Sequence, residues 1–262
     1  MSQKFGVCSL AAIPMRLEPS DRSEMVSQLL FGEHFKIIEE QQNWIKVKCW
    51  FDDYEGWIDQ KQSILLTEAE FQNLSFFPST ITSAFFNELI DQDRRSLFIP
   101  IGSTLPGFTG NSVFLSNTAF AFAGEAVMAG NFSKSNLMKL ANLYANSPYL
   151  WGGRSPSGID CSGFTQMVFK IMGIRISRDA SQQAEKGEII HFTEEILPGD
   201  LLFFDNEEGK IIHVGIALNE QNIVHASGKV RFDRFDHVGI YNQEQKRYSH
   251  KLRIVKRIGI IQ

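Results

Sequence analysis

Apolar positions along the chain follow two different periods, and the change between them divides the sequence. From residue 1 to about 62, strand-like runs such as KIIEE, WIKVKCW and EGWID are separated by the turn-forming stretches QQN and FDDYEG. Within WIKVKCW, the residues Trp44, Val47 and Trp50 have strand content without clean alternation, which leaves the local register open. All-β units of about 60 residues commonly close into barrels that protect their edges. Residues 63–130 carry apolar pieces broken repeatedly by Gly, Pro, Ser and Asn, and they predict a second small β domain. SAFFNELID at 83–91 reads as a helix interrupting it.

Beyond residue 133 the period becomes helical. Leu137, Leu140, Ala141 and Tyr144 lie at i, i+3, i+4 and i+7, with Ser133 or Ser135 as the cap and Pro148 helping to end the helix. The turn-rich WGGRSPSG then leads into a helix predicted from near Asp160 to Met172, with Gly173 just past its end. Phe164, Val168 and Met172 stripe one face of it, Asp160 caps it, and Cys161 falls in its first turn. After residue 190 the pattern is of strands: 201–205, 211–218, 223–227 and 251–259, with turns at NEEGK and NEQN. Helices first and an antiparallel sheet afterwards give an α+β domain.

Composition narrows the function classes. The 262 residues suffice for one large domain or two to three small ones. A net charge of -4 without a basic tail or patch argues against a nucleic-acid partner. Three cysteines with no CxxC pair exclude a disulfide framework and disfavour a structural zinc knuckle. No stretch of 18 apolar residues predicts a membrane span, and the N-terminus lacks the apolar core of a secretory signal. The expected compartment is the cytoplasm. The oligomeric state is left open, and a monomer is compatible with the sequence.

The chemistry centres on Cys161. Unpaired N–H groups and the dipole at a helix N-terminus favour the thiolate, the nucleophilic form. The neighbouring Asp160 opposes a thiolate and therefore needs a role of its own. The plainer reading of Cys161 is a small buried core residue. In IIHVGIAL, His213 shares a strand face with Gly215 and Ala217 if Ile212, Val214, Ile216 and Leu218 face the core. Two small neighbours on that face leave room for a helix N-terminus or a substrate. His225 lies on the next strand, where antiparallel pairing can bring the two imidazoles together. Nucleophile, base and orienting group make a usual catalytic constellation. Two structural histidines, or a Cys-His-His metal site, are the alternatives.

YLWGGRSPSGIDCSGF, LPGDLLFF, KIIHVGIAL and IVHAS together resemble the NlpC/P60 cysteine peptidases over residues 133–262. The resemblance implies a papain-like catalytic domain with Cys161 as nucleophile, His213 as base, His225 as its orienting partner and Tyr149 at the oxyanion site. GVCSLAAIPMRLEPSDRSEMVSQLLFGE and WIKVKCWFDDYEGWID resemble a bacterial SH3-type barrel. The expected organisation is therefore a barrel at 1–62, a second β domain at 63–130 and the catalytic domain at 133–262. This arrangement is similar to the γ-D-glutamyl-L-diamino-acid endopeptidases of the dipeptidyl-peptidase VI type. These cut murein stem peptides after D-Glu and require a free N-terminal L-Ala, which suits a role in recycling.

The resemblance also implies substrate contacts. Asp160, assisted by Ser162, is expected to receive the free ammonium, with Glu24 and Tyr54 closing that subsite and Trp151 walling the cleft. Ordinary packing is the alternative for Tyr54 and Trp151. An Arg178 fork or the Ser181 hydroxyl is expected at the γ-D-Glu carboxylate, beside Asp179, and a mutual Arg178–Asp179 surface pair is the alternative. His34, His191, His237 and His250 have no supporting constellation. No metal or organic cofactor is required. The rivals are an amidase or acyltransferase on the same scaffold, and a non-catalytic wall-binding module.

Overall fold

In the computed structural model, residues 3–75, 79–130, 133–243 and 245–259 are described. The chain divides into two units. One is Met1–Gly130 with Trp151–Pro156 and Gly173–Arg175; the other is Asn131–Leu150, Ser157–Met172 and Ile176–Gln262.

The first unit opens with seven strands: β1 (Lys4–Cys8), β2 (Ala12–Arg16), β3 (Met25–Leu30), β4 (His34–Gln41), β5 (Trp44–Cys49), β6 (Glu55–Asp59) and β7 (Ser63–Leu66). They form one antiparallel sheet in the order β3-β2-β6-β5-β4-β1-β7. The inward set of β5 is Ile45, Val47 and Cys49, so the tryptophans do not carry its period. These residues join Cys8, Ile13, Met15, Leu29, Phe35 and Ile58 in one core. Strand β7, C-terminal to the expected 1–62 boundary, pairs with β1 and belongs to the same sheet. A capping box at Thr67 and Glu70 then starts α1 (Glu68–Leu74), which buries Phe71.

The 63–130 stretch continues with β8 (Thr80–Thr82), β9 (Phe86–Ile90), β10 (Ser96–Pro100), β11 (Ser112–Leu115), β12 (Thr118–Ala123) and β13 (Ala126–Met128). Four of these pair in the order β10-β9-β12-β11, and β13 pairs with β8. The helix expected at 83–91 is a strand: β9 hydrogen-bonds to both β10 and β12 and buries Asn87 and Leu89 at alternate positions. Leu89, Ile99, Leu105, Val113 and Leu115 share a core with Phe5, Val7, Phe31 and Phe71. The two β regions of this unit are therefore fused through one apolar interior.

The second unit begins with α2 (Lys134–Tyr144), capped by Ser133 and burying the expected face of Leu137, Leu140, Ala141 and Tyr144. Two-residue strands follow at β14 (Arg154–Ser155, in the first unit) and β15 (Gly158–Ile159). Next come α3 (Cys161–Ile171), α4 (Ala180–Ala184), β16 (Glu188–Ile190), β17 (Leu201–Asp205), β18 (Ile211–Ala217), β19 (Asn222–Ser227), β20 (Lys229–Phe235), β21 (Gly239–Asn242) and β22 (Arg247–Arg257). Gly173 follows the end of α3 with φ +80°, as expected for a helix stop.

Strand β22 is eleven residues long and pairs with β21 through its first half and with β17 through its second. The order β22-β17-β18-β19-β20-β21 thus closes on itself as a six-strand barrel. Its interior holds Leu202, Phe204, Ala217, Ile223, Phe235, Ile240 and Val255. Among the described residues, no helix is long and apolar enough to cross a membrane.

Candidate active site

Asp160 is the N-cap of α3, its Oδ1 accepting from the backbone N–H of Gly163 at 2.6 Å. Cys161 is therefore the first helical residue, and it is buried. All of α3 is buried, because one face meets Tyr144 of α2 and another meets the barrel strands β18 and β19. The thiol hydrogen-bonds at the backbone of Val214, next to His213.

The helix terminus alone does not make the thiol acidic. Burial first, and the Asp160 charge second, push Cys161 up to about 11. Hydrogen bonds at the Val214 and Ser162 backbones and the Arg178 charge pull the other way without prevailing. Burial and the Asp160 charge thus outweigh the backbone hydrogen bonds and the Arg178 charge at this thiol.

Three neighbouring strands of the barrel supply a line of polar groups. His213 Nε2 lies 2.8 Å from His225 Nδ1, and His225 Nε2 lies 2.9 Å from Asp233 Oδ2. Asp233 in turn accepts from Arg231 Nε at 2.6 Å and Nη2 at 2.9 Å. The register explains the line. Gly215 is directly opposite His225, and Ile223 is directly opposite Asp233. Each polar residue thus reaches a diagonal neighbour on the adjacent strand and the same face.

Gly215 makes the first step possible. A Cβ there would lie 2.6 Å from Ile223 and 2.8 Å from His225 Cβ. The space expected for a helix or substrate beside Gly215 is filled by these two side chains, and Ala217 packs into the barrel core. Ile212, expected inside with Val214 and Ile216, is 54% exposed.

His213 is also held by rings. His250 stacks on it with centroids 4.1 Å apart, and Phe204 approaches at 5.7 Å. Burial, then the proximity of His225 and His250, holds His213 well below the usual histidine range. Burial lowers His225 as well, with Asp233 opposing it. His250 is pulled down to about 4 by burial and by His225. Neutral imidazole is therefore the resting form of His213 near neutrality, ready to accept a proton.

Tyr149 lies on a pinned segment. Its N–H donates to Gly228 O at 3.0 Å, while Ile159 N–H donates to Pro148 O at 3.0 Å. Burial and the nearby Cys161 and Asp160 push its phenol upward, so it stays protonated and can donate to a developing oxyanion.

Arg178 takes a different place from the one expected. It is 1% exposed, and its fork is bidentate on Asp160, at 3.0 and 2.6 Å, with Ser162 Oγ a third acceptor at 2.9 Å. The guanidinium is thus aimed at Asp160 and buried, not spread on the surface. Asp179 is the half-buried N-cap of α4, and Ser181 is exposed in its first turn.

Glu24, Tyr54 and Trp151 belong to the first unit. Trp151 is 59% exposed, and its indole N–H donates to Glu24 Oε1 at 2.6 Å. Tyr54 packs partly against the core of the β1–β7 sheet.

Asp233, Arg231 and His250 were missed by sequence reasoning. The available signal was KVRFDRF, where Arg231 and Asp233 share a strand face immediately after the strand of His225. Among the described residues no three His, Cys, Asp or Glu side chains converge as a metal-binding group.

The bacterial dipeptidyl-peptidase SH3 domain pattern matches residues 15–62, and the NlpC/P60 family pattern matches 146–257. A curated relative, dipeptidyl-peptidase 6 of Lysinibacillus sphaericus, is 30% identical over 236 residues, covering 80% of this chain and 83% of that protein. A γ-D-glutamyl-L-lysine dipeptidyl-peptidase of Bacillus cereus is 26% identical over 231 residues, covering 79% and 68%. A crystal structure of an NlpC/P60 family protein from Bacillus cereus superposes with a TM-score of 0.81 at 19% identity, over 98% of this chain and 99% of that one. With a nucleophile-bearing helix packed on a closed barrel and relatives matched along most of both lengths, the chain belongs to the NlpC/P60 family of cysteine peptidases.

Proposed function

We propose that this peptidase hydrolyses the γ-D-Glu–L-Lys bond, or its meso-diaminopimelate equivalent, of murein stem peptides with a free N-terminal L-Ala. The observation that carries the reading is Cys161 at the start of α3 beside the buried His213–His225 pair. The names of the relatives, γ-D-glutamyl-L-lysine dipeptidyl-peptidase and dipeptidyl-peptidase 6, supply the bond.

Burial raises the Cys161 thiol and keeps His213 neutral, so the thiol starts protonated beside a base able to take its proton. Cys161 attacks the γ-carbonyl as His213 takes the thiol proton. Tyr149 and local backbone N–H groups face the oxyanion. Protonated His213 gives its proton to the leaving amine of the diamino acid. Water, deprotonated by His213, then hydrolyses the thioester. Asp160 and Ser162 are assigned to the L-Ala ammonium, with Arg178 offsetting the Asp160 charge within the protein. Ser181, exposed in the first turn of α4, is the assigned contact for the D-Glu α-carboxylate.

Amine release from L-Ala-γ-D-Glu-L-Lys and from its N-acetylated twin tests the reading. Cleavage of the free peptide alone is the expected result. Equal cleavage of both removes the ammonium subsite, and no cleavage of these or of the diaminopimelate versions removes the substrate. A recycling role in the cytoplasm goes with this preference for released peptides, and cell fractionation tests it.

A further inference from the structure

We propose that Asp233 is a positioning residue of this active site: through His225 it fixes which nitrogen of His213 is bare to receive the Cys161 proton. The inference rests on the catalytic reading above, but its geometry is independent of the substrate.

Asp233 is buried beneath the β20 strand face, where an unpaired carboxylate is costly. It is not unpaired. Arg231, on the same face two residues earlier, donates to both of its oxygens, and His225 Nε2 completes the set. Burial favours the neutral acid, but the bonds from His225 and Arg231 outweigh it and hold the carboxyl below its ordinary range. An ionised carboxylate only accepts hydrogen bonds. His225 must therefore carry its proton on Nε2.

The rest follows from proton counting. A neutral His225 with its proton on Nε2 has a bare Nδ1, so the 2.8 Å contact requires His213 to donate from Nε2. A neutral His213 with its proton on Nε2 has a bare Nδ1, and this is the lone pair left for the thiol. The reverse arrangement would put the His225 proton on Nδ1, point it at His213 Nε2 and force the His213 proton onto Nδ1. The base would then have no lone pair for the thiol. When His213 takes the Cys161 proton it carries protons on both nitrogens, and its bond to His225 persists unchanged. No proton needs to pass to Asp233.

The test is the protonation pattern of the histidine rings in the full-length protein. Long-range proton–nitrogen correlation spectra of histidine-labelled enzyme at neutral pH should show bare Nδ1 and protonated Nε2 for both His213 and His225. Asp233→Leu removes the acceptor and should give mixed patterns at both rings. It should lower kcat by about 100-fold, within the usual range for losing general-base catalysis, with KM nearly unchanged. Asp233→Asn keeps an oxygen for His225 and should lose less than Asp233→Leu. Alkylation of Cys161 by iodoacetamide should slow in the same order. If Asp233→Leu does not fold, Arg231→Gln leaves the carboxylate present but less firmly held, and a several-fold loss of kcat is expected.

A protonated His213 Nδ1 in the wild-type enzyme would overturn the proposal, as would unchanged ring patterns and kcat in a folded Asp233→Leu. If the wild-type enzyme shows the expected rings but cleaves no murein peptide, the substrate reading fails and the Asp233 assignment stands.

Discussion

Two buried arginine–carboxylate forks, one in each unit, have nearly the same geometry and different consequences. In the first unit Arg154 grips Glu33 at 2.6 and 2.9 Å and also donates to Gln28 O. Glu33 at the same time accepts from Leu30 N–H, so the pair fastens the segment 151–156 to the turn between β3 and β4. In the second unit Arg178 grips Asp160 at 3.0 and 2.6 Å, and Asp160 simultaneously caps the helix of the nucleophile. Both pairs are expensive to break, because removing one partner leaves a buried charge. Only the second is joined to the N-cap of the helix that carries Cys161. Fork geometry thus identifies a buried constraint, and the neighbouring groups decide whether it touches the chemistry.

The largest expected effect separates stability from reactivity. Arg154→Met and Arg178→Met should each destabilise their own unit by about 3–5 kcal/mol, as for other broken buried pairs, measured by denaturant unfolding. Alkylation of Cys161 should slow only in Arg178→Met, since the Arg178 charge favours the thiolate. Equal slowing in both variants would erase the distinction.

Double replacement sharpens it. Glu33→Leu with Arg154→Met should recover most of the lost stability, because a buried pair exchanged for apolar residues is often nearly neutral. Asp160→Leu with Arg178→Met should remain about 1 kcal/mol short of recovery, the usual cost of a lost N-cap. It should also lose the preference for free over N-acetylated peptide.

A pH series tests the histidines of the second unit. His213, His225 and His250 are all held below the ordinary value of about 6.5. The unfolded chain therefore binds protons more readily, and stability present above pH 6.5 is lost as pH falls, for His250 through about 4. His250→Phe should reduce that acid sensitivity and leave stability at pH 8 little changed. Because His213 must be neutral to act, the acid limb of kcat/KM should lie below 6.5. The smallest effect belongs to the exposed Trp151–Glu24 bond. Trp151→Phe should cost under about 1 kcal/mol, as for a single hydrogen bond, and leave Cys161 alkylation unchanged.

Local patterns were the most legible part of the sequence. Asp160, Cys161 and Gly173 bracket α3 by capping rules that depend on neighbours in the chain. His213 and His225 were paired by strand alternation and a short turn. What escaped depends on pairing across distance. The helix expected at 83–91 is a strand because β10 and β12 flank it. Barrel closure depends on β22 reaching both β17 and β21, which no local window shows. Asp233 became visible only with the β19–β20 register, and the Arg178 fork found Asp160 eighteen residues away in sequence. The burial that raises the Cys161 thiol is likewise illegible in the chain, because desolvation is a property of everything packed around the residue.

The most direct test is to acid-quench the enzyme during turnover of L-Ala-γ-D-Glu-L-Lys and locate the acyl group by peptide mass spectrometry. The account predicts an L-Ala-γ-D-Glu thioester on the peptide containing Cys161, and no turnover by Cys161→Ala. Turnover that persists in Cys161→Ala, without an adduct on the wild-type enzyme, would contradict it.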